Sequence, residues 1–289
     1  MTTPATVLPR RTAIVTGSAR GIGKAIALRL VQDGYSVCIN DIAGLADEIT
    51  AVVNEINSSS SSSNSNSEDT PPRPCAIGVV ADVAKANEVE AMIKETVDKL
   101  GPLTLMVANA GIAQIKPLLE VTEADVDQVF DVNFKGVFNS YTLAAKQMIA
   151  QGDPQTAAGV GVYKIVGASS IVGFKAFATL GIYSASKWAV RGLTQALAME
   201  LAPHKITVNT YAPGIVGTAM WDQIDEALGK LHGRPKGATL AQYSQQLIAL
   251  GRTSVPEDVA GLVGGFLASK DSDYVTGQTM LVDGGIIFT

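Results

Sequence analysis

Tyr183 and Lys187 stand four residues apart in "GIYSASK", directly before "WAVRGLTQALAMELA". The latter reads as a helix. On a helix, residues at i and i+4 share one face with their Cβ atoms about 5–6 Å apart, so a phenol stands beside an ammonium. A neighbouring cation favours the phenolate, which predicts a tyrosine pKa drawn below its reference of about 10. Such a phenol can act as a general acid or base. Many helices carry a Tyr/Lys pair at this spacing for structural reasons alone, so the pair gains meaning only from what surrounds it.

The surrounding elements alternate. The apolar β-branched runs "TAIVT", "SVCIN", "AIGVVA", "LTLMVAN", "VYKIVGA", "ITVNTYA" and "TMLVDG" are separated by amphipathic segments such as "GIGKAIALRLVQDG" and "EVEAMIKETVDKLG". Seven buried strands joined by helical crossovers predict an α/β fold: a doubly wound, seven-stranded parallel sheet with helices on both faces, in one domain over residues 1–289. Ligands of such sheets bind beyond the carboxyl ends of the strands, which directs attention to the residues after each strand. The first strand runs into "TGSARGIG", where Gly17, Gly21 and Gly23 permit a tight turn. The following helix N-terminus can meet a pyrophosphate. The second strand ends at Asp41, a carboxylate placed to accept hydrogen bonds from a ribose diol.

Composition removes several classes of function. A net charge of −5 and no basic cluster argue against nucleic acid as a partner. No run of 18 uncharged apolar residues and no apolar leader are present, so neither a membrane nor export is expected and the cytoplasm is the expected location. The two cysteines, Cys38 and Cys75, read as buried thiols in a reducing compartment. With only His204 and His232 beside them, no zinc site can be assembled, which excludes a zinc-type alcohol dehydrogenase and predicts no metal. Any redox chemistry must come from an organic cofactor. "NSSSSSSNSNSEDTPPRP", residues 57–74, reads as a flexible serine-rich insertion, and "AQGDPQTAAGVG", residues 150–161, as a helix-to-strand loop.

The order and spacing of "TGSARGIG", "ADV" at 81–83, "ANAG" at 108–111, "VNFKGVF" at 132–138, "YSASK" at 183–187, "APGIVGT" at 212–218 and "VTGQTMLVDGG" at 275–285 resemble the short-chain dehydrogenase/reductase family over nearly the whole chain. The resemblance implies a catalytic set of Asn133, Ser170, Tyr183 and Lys187. Tyr183 would be the acid/base; Lys187 would lower its pKa and hold the nicotinamide ribose. Ser170 would bond the substrate oxygen, and Asn133 would support a water of the proton relay. Taken singly, Ser170 could be a strand-end cap and Asn133 a packing residue. The same likeness implies cofactor contacts from Gly17, Ser18, Arg20, Gly21, Ile22, Gly23, Asp41, Asp82, Val83, Asn109, Pro213, Gly214, Ile215 and Thr218, with Asp82 an alternative helix cap.

Within the family the chain is similar to acetoin and diacetyl reductases, also described as butanediol dehydrogenases. That similarity implies a small alcohol or ketone substrate, a lid over residues 214–250, and a homotetramer packed through helices around residues 122–150 and 183–202. Ser170, Ile171, Phe177, Tyr183, Met220 and Trp221 would line the substrate site. Relatives often carry glutamine after the catalytic serine; Ile171 followed by Phe174 and Phe177 forms an apolar wall instead, which leaves a bulkier cyclic or terpenoid alcohol as the alternative substrate. A nucleotide sensor without turnover is the rival of another class. Asp41 and Arg20 favour opposite cofactors, and the carboxylate, harder to displace, selects NAD over NADP.

Overall fold

The computed structural model describes residues 11–61 and 75–289. Its elements run β1 (Arg11–Val15), α1 (Gly21–Gln32), β2 (Tyr35–Asp41), α2 (Ala46–Ser61), β3 (Ala76–Val80), α3 (Ala86–Leu100), β4 (Leu103–Ala108), α4 (Glu123–Phe130) and α5 (Gly136–Gln151). They continue with α6 (Pro154–Ala158), β5 (Tyr163–Ala168), α7 (Gly181–Leu201), β6 (Ile206–Pro213), α8 (Ala219–His232), α9 (Ala238–Leu247), α10 (Pro256–Leu262) and β7 (Thr279–Val282). The seven strands form one sheet in the order β3-β2-β1-β4-β5-β6-β7, every pair parallel. Chain order reverses between β1 and β4, and this switch opens the crevice beyond their carboxyl ends.

Strand alternation divides the core. Ala13, Val15, Val37 and Ile39 pack with Ile26 and Leu30 of α1, Ile49 and Val52 of α2, and Val259 of α10. Ile14, Cys38 and Met106 point the other way, against Met92 of α3, Tyr141 and Met148 of α5, and Val190 of α7. Side chains of successive strand residues face opposite sides of a sheet, so a sheet covered on both faces needs these continuous apolar runs. Cys38 and Cys75 belong to opposite faces, and both are buried. Removal from water pushes the Cys38 thiol up to about 12, the mark of an inert core residue.

Two expectations are amended. Helix α2 runs through Ser61, so the serine-rich stretch begins as helix; Asn57 accepts the backbone N–H groups of Cys75 and Ala76 at 3.0 Å, fastening the helix to the start of β3. Residues 62–74 lie outside the described residues. The predicted loop at 150–161 holds the short helix α6, for which Asp153 accepts from Gln155 N–H at 2.9 Å, Pro154 opens the first turn, and Gly159 closes in the left-handed region. Those were legible helix signals. Among the described residues no helix is long and apolar enough to cross a membrane, and no group of three metal-ligating side chains converges.

Candidate active site

A cleft of about 640 Å³ lies over the carboxyl ends of the strands. One half is floored by the turn after β1 and the ends of β2 and β3; the other is walled by the 170–180 segment, the start of α7, and helices α8 and α9.

The glycine turn is shaped for close approach. Gly17 and Gly21 occupy positive φ of 63° and 57°. A Cβ on Gly17 would stand 2.8 Å from the Ala110 Cα, and one on Gly23 only 2.2 Å from the Gly17 carbonyl oxygen. Larger residues would force the turn open. Arg20 precedes α1 without a capping side chain, and the first bond within the helix is Lys24 N–H to Arg20 C=O at 3.2 Å. The amides of Gly21, Ile22 and Gly23 therefore precede the ladder at the positive end of the helix dipole, a cradle for an anion. Beside them, Asp41 accepts Ala19 N–H at 3.2 Å and Ile42 N–H at 3.0 Å, which fixes its carboxylate at the cleft edge. Phosphate cradle and ribose acceptor together fit a dinucleotide.

Several expected contacts fall elsewhere. Ser18 is fully buried and does not line the cleft: its N–H donates to Asn40 C=O, its hydroxyl donates to Val15 C=O, and it accepts Asn40 N–H. It ties β1 to β2 and has no side-chain group left for a cofactor. Asn109 reaches the cleft wall, but its amide is committed, donating to Thr16 and Gly17 carbonyls at 2.9 and 3.0 Å and accepting the Tyr211 hydroxyl at 2.7 Å. It braces the glycine turn from behind rather than facing adenosine. Asp82 is not the cap of α3, where Lys85 stands; its carboxylate accepts Ala84 N–H at 3.0 Å while Glu88 accepts Asp82 N–H at 2.7 Å. It shapes the turn and still lines the cleft, with Val83. Pro213, Gly214, Ile215 and Thr218 follow β6 along the far wall, with Thr218 at the start of α8.

At the other half, Ser170 lies just beyond β5 and its hydroxyl accepts Val172 N–H at 3.3 Å, capping a tight turn over Ile171–Gly173. The Ser170 side chain also lies close enough to the Tyr183 phenol to lower its pKa, and both line the cleft. Ser170 is thus both a cap and a site residue. Tyr183 and Lys187 share one face of α7, as the spacing predicts. The predicted depression of the tyrosine pKa is not found. Burial pushes the phenol up to about 12, more than the nearby Ser170 side chain lowers it, and Lys187 is directed elsewhere. Its ammonium donates to Ala168 C=O at 2.9 Å and stands 5.6 Å from the ring centre. Burial in turn lowers the lysine to about 8. Each group is pressed toward neutrality by lost solvation, so charging either one raises the value of the other as counter-ion.

Asn133 is fully buried and lies outside the cleft lining, in a π-helical turn, Asp131–Lys135, between α4 and α5. Its amide accepts Ile112 N–H at 2.8 Å and donates to Ile112 C=O at 2.9 Å and to the Ser186 hydroxyl at 3.1 Å. Ser186 donates onward to Tyr183 C=O at 2.7 Å, so Asn133 cross-braces the post-β4 segment to the first turn of α7. Gly111 makes room: a Cβ there would stand 3.2 Å from Asn133 Oδ1 and 3.5 Å from Lys187 Nζ.

The substrate wall holds Ile171, Val172, Leu180 and Tyr183 in one apolar cluster with Phe177, Ile286 and Ile287. Met220 and Trp221 on α8 line the cleft as expected. Phe174 does not; its ring lies under the Arg191 guanidinium at 3.7 Å. Sequence reasoning missed Ile224, Leu228, Tyr243 and Leu247, which line the cleft from α8 and α9. The i, i+4 pair in "YSQQL" was the available signal. It also missed Asp225, 2% exposed, whose carboxylate on α8 accepts the N–H groups of Gly237 and Leu240 and so caps α9.

The family model described as short chain dehydrogenase matches residues 11–229. The chain is 45% identical over 278 residues to an L-2,3-butanediol dehydrogenase of Corynebacterium glutamicum, covering 96% of this chain and 99% of that protein. It is 39% identical to a diacetyl reductase [(S)-acetoin forming] of Staphylococcus epidermidis, over 96% and 99% of the two chains. A short chain dehydrogenase of Burkholderia cenocepacia, solved in complex with NADP, superposes with a TM-score of 0.78 at 30% identity, over 97% of this chain and 98% of that one. A parallel sheet with its cleft at the β1/β4 switch, Ser170 and Tyr183 together on the cleft wall, and these full-length likenesses make this chain a member of the short-chain dehydrogenase family, an oxidoreductase that interconverts secondary alcohols and ketones.

Proposed function

We propose that the enzyme acts with NAD(H) on a small vicinal substrate of the acetoin, diacetyl or 2,3-butanediol type. The observation that carries this reading is the Ser170–Tyr183 hydroxyl pair set in a small apolar wall, in a chain with 45% identity to a butanediol dehydrogenase over nearly its full length. A nicotinamide dinucleotide, when bound, supplies or accepts the hydride. The amides at the start of α1 hold its phosphates, Asp41 its ribose hydroxyls, and Lys187 the ribose nearest the chemistry. Tyr183 passes its Oη proton to the carbonyl oxygen as negative charge develops there, and Ser170 donates to the same oxygen. In the reverse direction Tyr183 takes the alcohol proton. Lys187, protonated nearby, offsets the charge left on the phenol in a site that excludes water. Asn133, through its bonds to Ile112 and Ser186, holds the relay side of the site in place.

NAD is favoured because Asp41 is held by two backbone N–H groups at the position where a 2′-phosphate would sit, whereas the Arg20 side chain is exposed and bonds no described residue. Helices α8 and α9 form the lid over residues 214–250. The chain assembles as a homotetramer through the outer faces of α5 and α7, where Phe138, Trp188 and Met199 are exposed. It works in the cytoplasm, where its two thiols stay reduced.

The wall of Ile171, Val172, Phe177 and Leu180 favours a second reading, a bulkier cyclic or terpenoid alcohol. A panel of diacetyl, acetoin, 2,3-butanediol and cyclic secondary alcohols, assayed with each cofactor, separates the two. Highest kcat/KM for the four-carbon compounds with NAD(H) supports the first reading; a cyclic substrate ahead of them replaces it.

A further inference from the structure

The Ser170 and Tyr183 hydroxyls come from different elements, one from the turn after β5 and the other from α7. Their pairing is useful only if turn and helix keep a fixed separation. Arg191 joins them. It lies on α7 two turns beyond Tyr183 and one beyond Lys187, and its Nη1 donates to the Gly173 carbonyl at the end of the Ser170 turn. Its guanidinium carbon stands 3.7 Å over the Phe174 ring and 5.2 Å from that of Trp188. The contact is close: a Cβ on Gly173 would meet Ser169 Oγ at 2.7 Å, Lys187 C=O at 3.1 Å and Arg191 Cδ at 3.3 Å. Ser169 adds a second tie, donating to Lys187 C=O at 3.2 Å.

The guanidinium is not placed there for an ion pair. No acid pairs with it among the described residues, and its buried Nε has no hydrogen-bond partner. The side chain is partly buried, and its remaining interactions all run to the turn or to α7 itself. A guanidinium over an aromatic face is attracted to it, which adds to the bond to the turn. We propose that Arg191 is a positioning residue that clamps the Ser170 turn against α7 and thereby sets the geometry of the Ser170–Tyr183 pair. The inference rests on the reading that this pair acts on the substrate oxygen.

The test compares Arg191→Met, which keeps the stem but loses the bond and the cation, with Arg191→Lys, which can keep both in reduced form. Diacetyl reduction, cofactor Kd and backbone hydrogen exchange are measured on each. In Arg191→Met, kcat/KM falls roughly tenfold or more, chiefly in kcat, while cofactor Kd stays within about twofold. Exchange of the Gly173, Phe174 and Lys175 amides, each bonded within the turn, rises roughly tenfold; that of the glycine turn after β1 does not change. Arg191→Lys recovers most of the rate. Should the methionine variant fail to fold, Phe174→Leu removes the other half of the clamp with the same expected outcome. Turnover near wild type, unchanged exchange in the 170–175 turn, or a cofactor Kd weakened in step with the rate overturns the proposal. A wild-type enzyme that reduces no ketone defeats the substrate reading instead, and the exchange measurement still decides whether Arg191 holds the turn.

Discussion

Replacing Lys187 with methionine should inactivate the enzyme and, at neutral pH, stabilise it. The ammonium is buried at 3% exposure, faces no acid among the described residues, and burial holds its pKa at about 8 against 10.5 for a free side chain. At about 1.4 kcal/mol per pH unit, keeping the charged form in the fold costs about 3 kcal/mol at pH 7. Methionine fills similar volume without charge, but leaves the Ala168 carbonyl without its donor, a loss of about 1 kcal/mol. The net gain is about 2 kcal/mol, roughly 3 °C in Tm for a chain of this size. The sign with pH follows from a folded pKa below the unfolded one. The unfolded chain binds more protons between pH 8 and 10.5, so wild-type stability rises through that window and the advantage of the variant shrinks, to nearly nothing by about pH 9.5. The assay is thermal unfolding of both cofactor-free proteins from pH 7 to 9.5, read as the difference in Tm. The other titrating groups are shared and cancel in that difference. A gap that does not change with pH, or a variant less stable than wild type at pH 7, would refute the assignment of Lys187 as an uncompensated buried cation.

Tyr183→Phe should abolish turnover and leave cofactor affinity within about twofold, because the ring still packs but has no proton to pass; activity near wild type would sink the mechanism. Asp41→Ser should narrow or reverse a preference for NAD that is roughly tenfold in kcat/KM in the unmodified enzyme, as compared by steady-state kinetics with both cofactors. An unmodified enzyme that already prefers NADPH would make Arg20 the selector. Ile171→Gln should shift the ratio of rates toward diacetyl over a cyclic ketone; an unchanged ratio would remove Ile171 from the substrate wall. Asp225→Asn weakens the charge-assisted cap on α9 and should raise KM several-fold with little loss of kcat, since α9 lines the cleft with Tyr243 and Leu247 but carries none of the proposed catalytic residues. A loss confined to kcat would mean that the lid helix aligns the chemistry as well.

The parallel sheet, the glycine turn, Asp41 and the Tyr183–Lys187 pair were legible from sequence because each depends on local pattern. Apolar runs of strand length mark a sheet covered on both faces, glycines mark positive φ, and i, i+4 spacing marks one helix face. Even Pro154 and Gly159 carried local signals, for a helix that a loop reading passes over. What the residues do with their polar atoms was settled only by packing. Ser18 and Asn109 carry motif-matching identities, yet the hydrogen bonds of their side chains go to neighbouring backbone and, for Asn109, also to the Tyr211 hydroxyl. Lys187 stands where the spacing puts it, but the direction of its ammonium depends on the Ala168 carbonyl, which β5 brings close from 19 residues away. Arg191 and Asp225 make no local pattern at all, because their partners are the Ser170 turn and the first turn of α9. A sequence determines which face of an element a side chain occupies; the partner it meets there, and with it the pKa and the role, is determined by the elements that the tertiary fold brings against that face.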